Sequence, residues 1–264
     1  MKKAIIPLRD LCETVKKEME ADDLSGDWVH GLNHVKRVYN NLLFLLKCCE
    51  GIPFKFNPEI IERLKIAIIF HDVKRGNPGS CGDHAVAGAK FFKAQRIRSL
   101  NAEDVKAIAF AITNHNKGIK NLKPKVLEGA TQDEKDLLQL LVVMDGMDSL
   151  GDVGYLRVLQ WYGWKGEKFS LLGDISSDVL CDVLACKYSP EQVAALNLKD
   201  AGEILPHLVH DCYIFAEMLE PIEPLLPSDF LTEIDRRWTE LRENIIKLIE
   251  MKRKNEKSSC ILED

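Results

Sequence analysis

The sequence predicts an all-helical protein. Three observations carry that expectation. Apolar residues recur at three- and four-residue spacing through most segments between loops. No apolar–polar alternation runs long enough to suggest a strand. Clusters of Gly, Pro, Asn and Ser separate the periodic segments and mark turns.

In chain order, residues 3–21 form an amphipathic helix with Ile5, Leu8, Leu11, Val15 and Met19 on one side. A turn runs from Asp22 to Asp27. Asp27 caps a helix from Trp28 to about Cys49, with Leu32, Val35, Val38, Leu42, Phe44 and Leu45 facing inward. GIPFKFNP is a loop, and Asn57 or Pro58 starts a helix through Ile60, Ile61, Leu64, Ile68 and Ile69 to His71-Asp72. The loop VKRGNPGSCGD follows. Helices are expected at His84–Gln95 and Ala102–Thr113, then the lysine-rich loop KGIKNLKPK, then a strongly apolar helix over 132–150. The glycine-bearing stretch GDVGYLRVLQWYGWKGEKFS reads as kinked or broken. Further helical patterns cover 176–187, 190–197 and 201–220. The last helix spans Pro227–Lys254, beginning after the cap Ser228. Its stripe of Ile234, Trp238, Leu241, Ile245 and Leu248 packs on the domain or joins two copies. Residues 255–264 read as a disordered tail.

The chain has 264 residues, 46% apolar and 29% charged, enough for a sizeable core with an ordinary soluble surface. Its net charge of -5 argues against a broad nucleic-acid-binding face and leaves room for a small phosphorylated ligand held by a local basic cluster. The eight cysteines form no CxxC pair and read as reduced, mostly buried thiols of a cytoplasmic protein. No segment reaches the roughly 18 apolar residues of a membrane span.

The polar residues that interrupt apolar helices carry the chemistry. His30 and His34 are four apart and share a helical face. His71 and Asp72 end a helix of Ile, Leu, Ala and Phe. His84 opens HAVAGAKFF, and His115 ends VKAIAFAITNH. Asp145 and Asp148 lie three apart on one face of LLVVMDGMDSL. Buried imidazoles and carboxylates are costly without partners, and a shared divalent cation would remove that cost. Nitrogen and oxygen donors without thiolate suit manganese, iron, zinc or nickel.

The order His34, His71-Asp72, Asp148 resembles the H…HD…D signature of HD-domain phosphohydrolases. HVKRV, AIIFHDVKR and MDSL are similar to the family's local contexts, with Met147 and Ser149 in the alanine and basic places of the last. The resemblance covers roughly residues 28–150. It implies the HD-domain helical bundle with additional C-terminal helices. The divisions would be an N-terminal helix 1–27, an HD core 28–160 and a helical extension 161–254 ahead of the tail. His84 and His115 resemble the extra histidines of the family's dinuclear group. The implied metal ligands are then His34, His71, Asp72, His84, His115 and Asp148, with Asp72 bridging two ions. The insert between Asp72 and His84 is shorter than in the cyclic-di-nucleotide phosphodiesterases, and their glycine-tyrosine-proline element is absent.

The implied cofactor is one or two divalent transition-metal ions, iron or manganese first, with nickel, cobalt or zinc as alternatives. The implied activity is hydrolysis of a nucleotide or other small phosphorylated substrate. Asp72, Lys74 and Arg75 would be its catalytic residues, with Lys74 or Arg75 neutralising phosphate charge. The same ligand set serves HD-fold di-iron oxygenases such as those resembling myo-inositol oxygenase, and a non-catalytic metal or ligand sensor is a third reading. His30, Lys117 and Asp145 are candidates for substrate binding or for orienting ligands, His30 equally for a surface position or a further ligand. Arg37 is a weaker candidate. Trp161, Tyr162 and Trp164 read as core or as a base-stacking wall, and His207 and His210 as ordinary helix residues. No nucleic-acid polymer or membrane partner is expected, and a homodimer is compatible with the last helix.

Overall fold

The computed structural model describes residues 8–21, 31–53, 55–75, 84–117, 126, 128–151, 154 and 214–260, with side chains in the last helix described to residue 244. Its architecture is all-α, with no strand among the described residues. The helices are α1 (Leu8–Ala21), α2 (Leu32–Cys48), α3 (Pro58–Phe70), α4 (His84–Ala94), α5 (Ala102–Asn114), α6 (Gln132–Gly146) and α7 (Ser228–Cys260). Short 3₁₀ turns cover Met147–Ser149 and Glu223–Leu225, and residues 214–219 are helical. None of the described helices is long and apolar enough to cross a membrane.

Local chemistry sets the helix starts. Asn57 accepts the amide of Glu59 at 3.0 Å and Pro58 supplies the first turn of α3. Reciprocal capping boxes join Asn101 to Asp104 at α5 and Thr131 to Glu134 at α6. Two boundaries differ from expectation. Helix α2 starts at Leu32, after Gly31 with no side-chain cap, rather than at Trp28. Asp27 lies outside the described residues. Helix α7 runs on to Cys260, beyond Lys254 and through most of the expected tail.

Helices α3, α5 and α6 pack on one another at the centre, with α4 against α5 and with α1 and α2 against α3. Ile60, Leu64, Ile68, Ile108, Ile112, Leu137, Leu141 and Met144 fill the space between them. Helix α7 lies on α2 and buries Phe230 together with Ile234, Trp238 and Leu241, the first three residues of the expected stripe. Two glycines permit close approaches that place the site. At Gly88 a Cβ would stand 3.2 Å from the Phe70 carbonyl and 3.3 Å from that of His71, so α4 sits against the end of α3. At Gly146 a Cβ would overlap the Phe215 ring, so residues 214–219 close over the end of α6.

Candidate metal centre

Five helices deliver their polar ends to one place. His71 and His115 follow α3 and α5 directly, and both keep helical backbone angles, so the chain continues the turn as it leaves the helix. The Nδ1 of each ring donates to a carbonyl three residues back. His71 bonds Ile68 at 2.8 Å and His115 bonds Ile112 at 2.7 Å. These carbonyls belong to the helix ends that lack a main-chain donor. One contact therefore satisfies the helix end and fixes the ring so that Nε2 faces the interior. His34, in the first turn of α2, is fixed by Asp148, whose Oδ2 lies 2.7 Å from Nδ1.

The donors fall into two clusters, His34 with His71 and Asp145, and Asp72 with His84 and His115. In the first, His34 Nε2 lies 3.1 Å from His71 Nε2 and 3.1 Å from Asp145 Oδ1, with His71 Nε2 at 3.8 Å from the same oxygen. Adjacent ligands on a bond of about 2.1 Å stand about 3.0 Å apart in an octahedron and about 3.4 Å in a tetrahedron. Two of the three spacings in the first cluster, both 3.1 Å, fall in that range, and the third is wider at 3.8 Å. Asp72 joins the two clusters. Its Oδ2 is 3.6 Å from His34 Nε2 and 3.8 Å from His71 Nε2, while its Oδ1 is 3.5 Å from His84 Nε2 and 3.4 Å from His115 Nε2.

These residues fit a bound divalent metal. Nε2 of His84 and of His115 are buried and make no hydrogen bond. An orphaned lone pair in the interior is costly, and a cation beside Asp72 Oδ1 would satisfy both.

Electrostatics differ across the pair. Burial disfavours charge on His71, but the Asp72 carboxylate and then Asp145 outweigh it and raise the imidazole to about 9. Burial pushes His84 down to about 4, with Asp72 opposing and His115, Arg75 and His71 adding to the effect. Against the cost of burial, Arg75, His71, His115 and His84 hold Asp72 well below the usual carboxylate range, as His34 and His71 hold Asp145. His34, His71 and Asp72 have fully buried side chains, whereas Asp145 keeps 24% and Arg75 32% of theirs exposed. The centre therefore opens on the side of Asp145 and Arg75.

Asp145 in α6 and Asp148 in the 3₁₀ turn after it take places opposite to those expected. Asp145, expected to orient a ligand, meets the Nε2 atoms of the first cluster. Asp148, expected as the ligand, stands on the far side of His34, where Arg37 grips it through Nε to Oδ1 at 2.6 Å and NH2 to Oδ2 at 2.9 Å. The physical reason is the change from α to 3₁₀ at Met147, which moves Asp148 to the Nδ1 edge of the ring that Asp145 meets at Nε2.

Lys74 and Arg75 also separate. Arg75 donates to both Asp72 oxygens at 3.1 and 2.9 Å. Lys74 turns to α1, pairs with Glu18 and lies over the Phe91 ring, so the structure ties it to helix packing rather than to the histidines. Lys117 is half-buried in the turn after His115, its amide bonded to the Asn114 carbonyl. His30, Trp161, Tyr162, Trp164, His207 and His210 lie outside the described residues. Arg37, a weak candidate by sequence, is integral to the arrangement. The signal for it was its position three residues after His34, one helical turn along the same face.

No family model matches the chain, and no curated protein matches it. Among solved structures, the crystal structure of a Lactobacillus plantarum protein, a structural genomics target, is similar with a TM-score of 0.48 at 15% identity. The match covers 96% of this chain and 100% of that one. A likeness of that size carries no argument about either fold or function. The described structure is an all-α protein with two groups of histidine and aspartate side chains that could each hold a metal ion.

Proposed function

We propose that this protein is a two-metal phosphohydrolase of the HD type, acting on a nucleotide or another small phosphorylated substrate. The observation that carries the reading is Asp72, one carboxylate facing two histidine clusters with a different oxygen toward each. Iron or manganese suits four imidazoles and two carboxylates, and nickel, cobalt or zinc would be accepted by the same donors. Such a pair of ions supplies an acidified water and positive charge opposite the phosphoryl oxygens.

The chain's own residues prepare the site for that chemistry. His71 and His115 hold their Nε2 atoms inward through their Nδ1 contacts. Asp148, gripped by Arg37, orients His34. Arg75, partly exposed beside Asp72, is placed to bind phosphate oxygens arriving on the open side. Lys74 does not share this role, since it is paired elsewhere.

The test is metal content of protein purified without added metal, followed by phosphate release over a panel of nucleotides and phosphomonoesters. The expected result is two ions per chain and metal-dependent release that disappears in His71→Ala. Absence of turnover by fully loaded protein would overturn the reading. Oxygen consumption by the iron form would assign the site to oxygenase chemistry, and ligand-dependent thermal stabilisation without turnover would assign it to sensing.

A further inference from the structure

Helix α6 ends where α changes to 3₁₀, and a helix end leaves carbonyls without main-chain donors. Two carbonyls at this junction immediately precede the aspartates beside His34, and that of Met147 also accepts the Leu150 amide at 3.3 Å. The Met144 carbonyl, before Asp145, accepts from Nδ2 of the buried Asn41 at 2.8 Å. The Met147 carbonyl, before Asp148, lies 3.4 Å from an amino group of Arg237, and the same group donates to Asn41 Oδ1 at 2.9 Å. Glu233 holds Arg237 from one turn earlier on α7, at 2.8 Å from Nε. Gly151, at φ +67°, lets the chain after the 3₁₀ turn pass the Arg237 stem, where a Cβ would stand 3.5 Å from it. The chain of contacts therefore runs from α7 through Arg237 and Asn41 to the backbone beside both aspartates. Among the described residues, the hydrogen bonds of Arg237 reach no residue of the second cluster, whose histidines stand on α4 and at the end of α5.

We propose that Asn41 and Arg237 are positioning residues that form a latch, through which the C-terminal helix sets Asp145 and Asp148 against His34. The first cluster then depends on α7 and the second does not. This rests on the two-metal reading of the site. The latch touches no ligand atom and acts only through the backbone of residues 144–148.

The experiment uses the full chain with Arg237→Gln, Asn41→Ala and the conservative Arg237→Lys. Mn²⁺ alone is the probe, titrated with two sites resolved. Arg237→Gln is expected to weaken one Mn²⁺ about tenfold and leave the other unchanged. Arg237→Lys, which keeps charge but not the planar fork, should fall between wild type and Arg237→Gln. A second readout needs no metal. In the metal-free protein the Nδ1 proton of His34, hydrogen-bonded to Asp148, should give a downfield imidazole resonance that shifts or is lost in Arg237→Gln while helix content is kept. Equal weakening of both Mn²⁺ sites, unchanged affinity, or an unchanged His34 resonance would overturn the latch. If wild-type protein binds no Mn²⁺, the two-metal reading fails, and the His34 resonance still decides the latch.

Discussion

The two histidine clusters share Asp72 yet solve the problem of buried polar groups in opposite ways. In the first, His34, His71 and Asp145 contact one another, and His71 stays protonated to about 9 because carboxylates surround it. A proton stands in for the cation. In the second, burial keeps His84 neutral down to about 4, and its Nε2 and that of His115 have no hydrogen bond. That cluster carries an unmet demand for positive charge. The first should therefore exchange the His71 proton for metal, whereas His84 of the second should take metal without losing one.

The comparison would be broken most completely at the shared carboxylate. Asp72→Asn should release both ions and cost about 4 kcal/mol of transition-state stabilisation, about a thousandfold in phosphate release. Metal analysis beside kcat/KM checks this, and retention of either ion by Asp72→Asn would show that the clusters do not share it.

A smaller and one-sided effect is expected at Asp148. Asp148→Asn should weaken the first ion about 10- to 100-fold by releasing the Nδ1 edge of His34, with the second ion unaffected. Competition titration against a chelator separates the two. Equal loss at both would mean that Asp148 serves the whole centre.

Acidity distinguishes the clusters further. Metal binding at the first must displace the His71 proton, so its affinity should rise about tenfold per pH unit up to about 9 and then level. At the second, His84 should add no pH dependence from about pH 5 upward. Calorimetry in buffers of different ionisation heat counts the protons released.

Stability of the metal-free chain should follow the same signs. His71, raised above its ordinary 6.5, adds stability that is complete below 6.5 and lost as pH rises through about 9. His84, lowered to about 4, makes stability climb between about 4 and 6.5. Denaturant midpoints across that range should pass through a maximum near 6.5, and a monotonic profile would contradict the assignment of the two rings.

The smallest effect is expected at Gly88. A methyl there presses on the Phe70 and His71 carbonyls and moves α4, which carries His84. Gly88→Ala should weaken the second ion several-fold while leaving the first. Net stability should change by no more than about 1 kcal/mol, because helix propensity offsets overpacking. Thermal melts and the Mn²⁺ titration measure the two parts.

Much of this centre is legible in the sequence. The all-helical architecture follows from apolar spacing and from caps at Asn57, Asn101 and Thr131, because helix formation depends on neighbours a turn apart. His71, Asp72, His84 and His115 stand out as polar residues at the ends of apolar helices, and the structure brings them together. The sequence also placed Asp145 and Asp148 on one face. Only the tertiary structure decided between them, since three residues on a helix separate two sides of a single imidazole, and the change to 3₁₀ at Met147 turns the second carboxylate to Nδ1. It also decided the partition of Lys74 from Arg75, which are adjacent in the chain but diverge toward α1 and Asp72. The link from Arg237 to Asn41 spans 196 positions, and no local pattern encodes a contact of that length. Local spacing determines which side chains are available to a metal, and packing between distant helices determines which oxygen or nitrogen each one presents.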